Sequence, residues 1–271
     1  MPTSASRIAA AAGLAGALAA LVAAGAAAGV QHTPVTRVTC GGYEAVPSGV
    51  GSGGRPTRLI IQKDGRLLQT VSDWWITRVD CADLENDKTL ELLAASYSGG
   101  AHCCETLRVW TLEPKAPRKI LEYEAGNAGG FELRDLDGNG RLELLLGDDS
   151  FAYFDDLSYA DSPNVVPLVA CLTGAGFEDC TTRFPEVLRE SSARYDQRLQ
   201  GFGAGADVKR VEGQALGVLA LSVLLGEESA ALDRIRAAVA NDDVMRWLER
   251  ARPKVRDWAR TRGKKLKTEK K

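Results

Sequence analysis

Five residues in the middle of the chain have the types and spacing to hold a hard cation. In the run DLDGNGRLEL at 135–144, Asp135, Asp137 and Asn139 place side-chain oxygens at loop positions 1, 3 and 5. Gly140 permits a sharp turn at position 6, the carbonyl of Arg141 falls at position 7, and Glu143 follows at position 9. Calcium takes about six to eight oxygens, which calls for alternating short carboxylates on a tightly curled loop. The same residues also suit a metal-free turn held by Asx hydrogen bonds, because Asp-Gly and Asn-Gly are ordinary turn formers. An EF-hand needs a bidentate Glu at position 12, but that position is Leu146, and LELLLGDD reads as a strand rather than an exiting helix.

The loop has a partner 52 residues earlier, where DLENDKTLELL at 83–93 aligns with DLDGNGRLELL at 135–145. Lys88 stands in the place of Gly140, so metal is not expected at the earlier copy, which keeps its shape through hydrogen bonds. Repeats at this period suggest propeller blades or stacked hairpins. On Phe131 and the 135–144 run, the chain resembles the FG-GAP/VCBS-type repeat, the calcium-loop hairpin of integrin α-chain propellers, over roughly residues 75–185. The resemblance implies calcium ligands at Asp135, Asp137, Asn139, the Arg141 carbonyl and Glu143, with Glu where the family usually has Asp at the ninth position. It also implies a propeller-blade-like sheet, in a chain with room for about three such units and not for a closed propeller.

Other clusters are less telling. His102-Cys103-Cys104 could form a soft-metal or redox site. With six cysteines in all, the structural alternative is disulfides, including separate bridges from Cys103 and Cys104 to Cys40 and Cys81. CLTGAGFEDC predicts a Cys171–Cys180 bridge across two short strands. Asp148-Asp149 and Asp155-Asp156 are paired carboxylates of the kind glycoside hydrolysis uses, though adjacent acids are more often turns. Trp74-Trp75 and Phe151, Tyr153 and Phe154 could stack on sugars or simply pack. No nucleophile–base set is visible.

The elements that must position these residues form two parts. Residues 1–28 have the shape of a secretory signal, with an uncharged run at 8–30 and an A-x-A exit at Ala26 and Ala28; an uncleaved anchor is the alternative. Residues 29–56 are expected to be a flexible Gly/Pro/Ser-rich start, and 57–183 a β-rich domain of repeat-like antiparallel hairpins. Residues 184–262 carry helical periodicity, with Pro185 at a helix start, a kink expected at Pro253, and Asp242 or Asp243 capping the last helix. Residues 263–271 read as a solvated basic tail. The fold class is therefore α+β, β-rich part first and all-α part second.

The formal net charge of -2 gives no sign of a nucleic-acid binder, yet residues 246–271 carry a local +9 against -11 for the rest. Those terminal charges are expected to face solvent, to touch an anionic surface, or to dock on the acidic remainder. The sequence reads as an exported, periplasmic or extracellular binding or scaffolding protein, stabilised by one calcium and contacting a protein or a carbohydrate, without catalysis of its own. The competing class is a glycan-active hydrolase.

Overall fold

The computed structural model describes residues 35–100, 104–163, 166–174, 176–203 and 205–266. The expected signal segment, His102, Cys103 and the last five residues lie outside them. Twelve strands form three four-stranded antiparallel sheets, each a meander of consecutive strands. The first holds β1 (Val38–Cys40), β2 (Tyr43–Ser48), β3 (Arg58–Lys63) and β4 (Arg66–Ser72). The second holds β5 (Trp75–Ala82), β6 (Glu91–Tyr97), β7 (Glu105–Leu112) and β8 (Pro117–Gly126). The third holds β9 (Phe131–Arg134), β10 (Glu143–Asp148), β11 (Val166–Thr173) and β12 (Gly176–Asp179).

Side chains alternate across a strand, so the second sheet can bury both faces. Leu92, Ala94 and Trp110 meet Tyr43, Leu59 and Ile61 of the first sheet. Their neighbours Leu93, Ala95 and Val109 meet Leu144, Leu146, Leu168 and Ala170 of the third. The sheets thus stack as three successive layers. The β3–β4 hairpin turns at Asp64-Gly65, both at positive φ (49° and 74°), the two-residue turn whose twist suits flanking strands.

One expectation is corrected here. The stretch 29–56 does not form an irregular start throughout, because β1 and β2 lie within it and build the first sheet. Tyr43, 1% exposed, anchors β2 in the core, and Cys40 is bridged to Cys81 of β5.

Four helices follow: α1 (Pro185–Gln200), α2 (Val208–Leu225), α3 (Glu228–Val239) and α4 (Asp242–Thr261). α2 is the buried centre of this part, packed by Leu188 and Tyr195 of α1, Ile235 of α3, and Trp247 and Leu248 of α4. A Cβ at Gly217 would lie 2.5 Å from the Tyr195 ring, so glycine sets how closely α1 and α2 approach. The cap of α4 is Asn241 rather than either aspartate; its side chain accepts from the N–H groups of Asp243 and Val244. Pro253 lies inside α4, which is continuous across it.

The β and α parts form one compact unit over Pro34–Lys271. Phe151, Leu157 and Val166 of the third-sheet segment enter the helical core. Beyond α4, a 3-10 turn at Arg262–Lys265 returns to the sheet, where Lys265 pairs with Asp148 at 2.8 Å and Leu266 is buried against the β core. The expected tail at 263–271 is therefore docked at its start. Much of α4's charge is internally matched as well: Arg252 and Arg256 on Glu228, and Lys254 on Asp155.

Candidate metal centre

The 135–142 loop connects β9 to β10, closed by the Arg134↔Glu143 pair. Asp135 organises it: Oδ1 accepts from the N–H groups of Gly138 (2.7 Å) and Asn139 (3.1 Å), and Oδ2 from Gly140 (2.9 Å). Asn139 Oδ1 accepts from Arg141 N–H at 2.7 Å, and Glu143 Oε2 from Leu136 N–H at 2.9 Å. Gly138 and Gly140 take φ of 74° and 84°, where side chains are strained. The chain leaves the loop into β10 and not into a helix, as the residue at position 12 implied.

The earlier copy repeats most of this wiring but, among the described residues, lacks counterparts of the Gly138 N–H bond to Asp135 and the Asn139 N–H bond to Asp137. Asp83 accepts from Asp87 and Lys88 N–H, Asp87 from Thr89 N–H at 2.7 Å, and Glu91 Oε2 from Leu84 N–H at 3.0 Å. Asn86 and Lys88 adopt φ of 56° and 72° at the places of Gly138 and Gly140. The sequence repeat is thus a repeat of backbone geometry, retained even where two glycines have been lost.

What differs is where the carboxylates go. In the later loop, oxygens of Asp135, Asp137 and Glu143 lie within 4.8 Å of one another. Among the described residues no other three His, Cys, Asp or Glu side chains converge in this way. In the earlier loop, Glu85, at the place of Asp137, turns away to pair with Arg141 at 2.6 Å. Glu91 is 3% exposed, and burial pushes its carboxyl up to about 7 against the bonds from Leu84 N–H and Thr111, with Asp87 and Asp83 raising it further.

The two loops abut. Leu142 N–H donates to the Leu84 carbonyl at 2.9 Å, and a Cβ at Gly140 would lie 2.7 Å from Asn86 Nδ2. A cleft of about 250 Å³ beside them is lined by Glu85, Asn139, Arg141, Glu143 and Arg183. Arg183 lies 4.0 Å from Asp137 and is more than half exposed, a weak pairing that a divalent ion would readily displace. Sequence reasoning missed Arg183, which lies 46 residues downstream and is brought there by the 3-10 turn after β12.

The donor set fits a hard cation. Asp135, Asp137, Asn139, the Arg141 carbonyl and Glu143 offer only oxygen, which suits calcium or magnesium and not the softer metals that select nitrogen and sulfur. Asp135 and Asp137 are exposed and Glu143 is buried, so an ion would sit at the surface with its inner side against the sheet.

The other clusters have structural partners. Cys171 pairs with Cys180, as expected. The expected bridges from Cys103 and Cys104 to Cys40 and Cys81 do not form, since Cys40 pairs with Cys81. The reason is packing between sheets: Cys81 lies on β5, which sits against β1 so that the two Cα atoms are 5.7 Å apart. Cys104 is also disulfide-bonded. Asp148, 1% exposed, accepts from Trp258 Nε1 at 2.9 Å and from Lys265; despite burial, that lysine helps hold its carboxyl below the usual range. Asp155 pairs with Lys254, and Asp156 with Lys209 and Trp247 Nε1. Phe151 is buried beside Trp258 and Phe154 packs on Trp247, whereas Tyr153 is exposed beside Tyr159. Trp74 is 56% exposed and stands edge-on to Trp75, which stacks on Tyr97.

A segment of 77 residues, 28% of this chain, is 34% identical to "Uncharacterized protein y4bJ" of Sinorhizobium fredii (strain NBRC 101917 / NGR234). The matched segment spans 12% of that protein's length. No family model matches the chain, and no solved structure matches it.

Proposed function

We propose that the chain is an exported binding or scaffolding protein whose stacked sheets are stabilised by one calcium ion at Asp135, Asp137, Asn139, the Arg141 carbonyl and Glu143. In this reading the later loop is an FG-GAP/VCBS-like calcium loop and the earlier one its metal-free relic. The ion performs no chemistry; it neutralises the carboxylates and fixes the loop against its neighbour. The partner is a protein or a carbohydrate outside the cell or in the periplasm.

The observation that carries this reading is the contrast between two loops of largely shared backbone wiring, only one of which, among the described residues, gathers three carboxylates within 4.8 Å. Disulfides at Cys40–Cys81 and Cys171–Cys180 fit an oxidising compartment, and no described helix is long and apolar enough to cross a membrane. The buried or cation-paired state of Asp148, Asp155 and Asp156 favours binding over glycan hydrolysis, which needs carboxylates facing a substrate.

A chelator-dependent melt tests it. With free calcium at a hundredfold its dissociation constant, binding to the native state alone adds about 2.7 kcal/mol. Melting unmoved by calcium, and equal in wild type and Asp137→Ala, removes the proposal.

A further inference from the structure

We propose that the outer edge of β4 receives an extended acidic segment of a partner protein, which pairs with it as a fifth strand of the first sheet. This rests on the reading of the chain as a binding protein and gives its partner a chemistry. β4 is an outer strand of its sheet, with β3 on its inner side. It has seven residues, RLLQTVS, without a charge after Arg66 and without proline, and Leu67 is 58% exposed. Beyond its ladder with β3, its backbone makes no hydrogen bond to another segment among the described residues. Soluble proteins usually blunt such an edge with charges, proline or short length.

The other outer strands are blunted in those ways. β1, β9 and β12 have three or four residues. β8 begins at Pro117 and carries Arg118, Lys119 and Glu122; the register shift it shows against β7 has a counterpart in β4 at Leu68 and does not separate the two. β5 carries the Arg78–Asp80 ion pair, and Arg78 reaches across to the Phe131 carbonyl.

Beside β4 lies an open cleft of about 620 Å³. Residues 69–72 line it consecutively, so the strand presents its backbone edge and not one face. The opposite wall comes from β7, β8 and their turn, with Arg108, Lys115, Arg118 and Lys119 against Glu113. Glu122 is shared by Arg108 and Lys119, and Glu113 is paired with Arg118, so the positive charge left over on this wall among the described residues is that of Lys115. Trp110 also lines the cleft, and its Nε1 is buried without an acceptor among the described residues.

The charge of this wall selects the occupant. A second copy pairing edge to edge through a two-fold would bring two basic walls together. An incoming strand with carboxylates at alternate positions would meet the wall with one face and leave the other to solvent, the side-chain alternation by which added strands gain specificity.

Fluorescence anisotropy with the full-length chain tests this, using eight-residue peptides that alternate glutamate with valine, or lysine with valine. The glutamate peptide is expected to bind, more weakly as salt rises and about fivefold more weakly to Lys115→Glu. N-methylation of alternate peptide nitrogens along one edge should abolish binding, and along the other edge leave it. Equal binding of the lysine peptide, indifference to both methylation patterns, or no binding overturns the proposal. So does a concentration-dependent dimer dissolved by Leu67→Lys, which would make a second copy the occupant. Running each titration with calcium and with chelator separates the two readings: a calcium response without peptide binding removes only the β4 site, and peptide binding without any calcium response removes only the ion.

Discussion

Glu91 gives the earlier loop a pH dependence that can be worked out in advance. The side chain is 3% exposed, with Oε2 accepting from Leu84 N–H at 3.0 Å and Oε1 from Thr111 at 3.2 Å. Burial and the nearby Asp87 and Asp83 raise its carboxyl from 4.5 to about 7. Well below pH 4.5 it is protonated in both folded and unfolded chains and has no effect on the balance. Between 4.5 and 7 the unfolded chain releases the proton while the folded chain retains it, so stability falls as pH rises, and levels off above 7. A tenfold difference in proton affinity between the two states is worth about 1.4 kcal/mol, so the full loss is roughly 3 kcal/mol. In Glu91→Gln the amide oxygen still accepts from Leu84, and nothing titrates. Urea melts of both proteins at pH 5 and pH 8 measure the effect. The stability difference between variant and wild type should grow in the variant's favour by roughly 2.5 kcal/mol from pH 5 to pH 8, the first part of the loss having already occurred below pH 5. If the two proteins keep a constant difference across that range, the buried-carboxylate reasoning is wrong.

Two further outcomes follow from the packing. Asp148→Asn removes the buried partner of Lys265, which keeps Asp149 at 3.5 Å, and weakens the Trp258 anchor, so chemical denaturation should reveal a loss of about 1–3 kcal/mol, whereas Asp257→Asn, on the exposed face of α4, should cost under about 0.5 kcal/mol. Replacing both Cys40 and Cys81 by alanine should destabilise by about 4 kcal/mol, and the Cys171 and Cys180 pair by only about 2.6 kcal/mol, because the closed loops differ in length (separations of 41 and 9 residues); equal losses would contradict the loop-entropy account.

Much of this arrangement is legible in the sequence because it is local. Helical periodicity marked 184–262, where α1 to α4 lie, with the start of α1 at Pro185, and the 52-residue offset already aligned the two loops that share most of their wiring. What escaped was non-local or chemically quiet. β1 and β2 lie among glycines and prolines, and only the pairing of β2 with β3, and of β1 with β2, makes them strands. The degenerate loop kept its shape as expected, but it does so with Lys88 at a φ of 72°, a conformation that side chains other than Gly, Asn and Asp rarely take. The cation nearest the later loop, Arg183, and the ion pair that occupies the earlier one, Glu85–Arg141, join residues 46 and 56 positions apart. The docking of Lys265 and Leu266 depends on an acidic pocket at the end of β10 that a basic tail alone does not announce.

The central claim is that the later loop holds an ion and the earlier one does not. Calorimetric titration of calcium into wild type, Asp137→Ala and Asp87→Ala tests it most directly. The account predicts one site in wild type, none in Asp137→Ala, and one undiminished site in Asp87→Ala. No binding to wild type, or loss in Asp87→Ala with retention in Asp137→Ala, would contradict it.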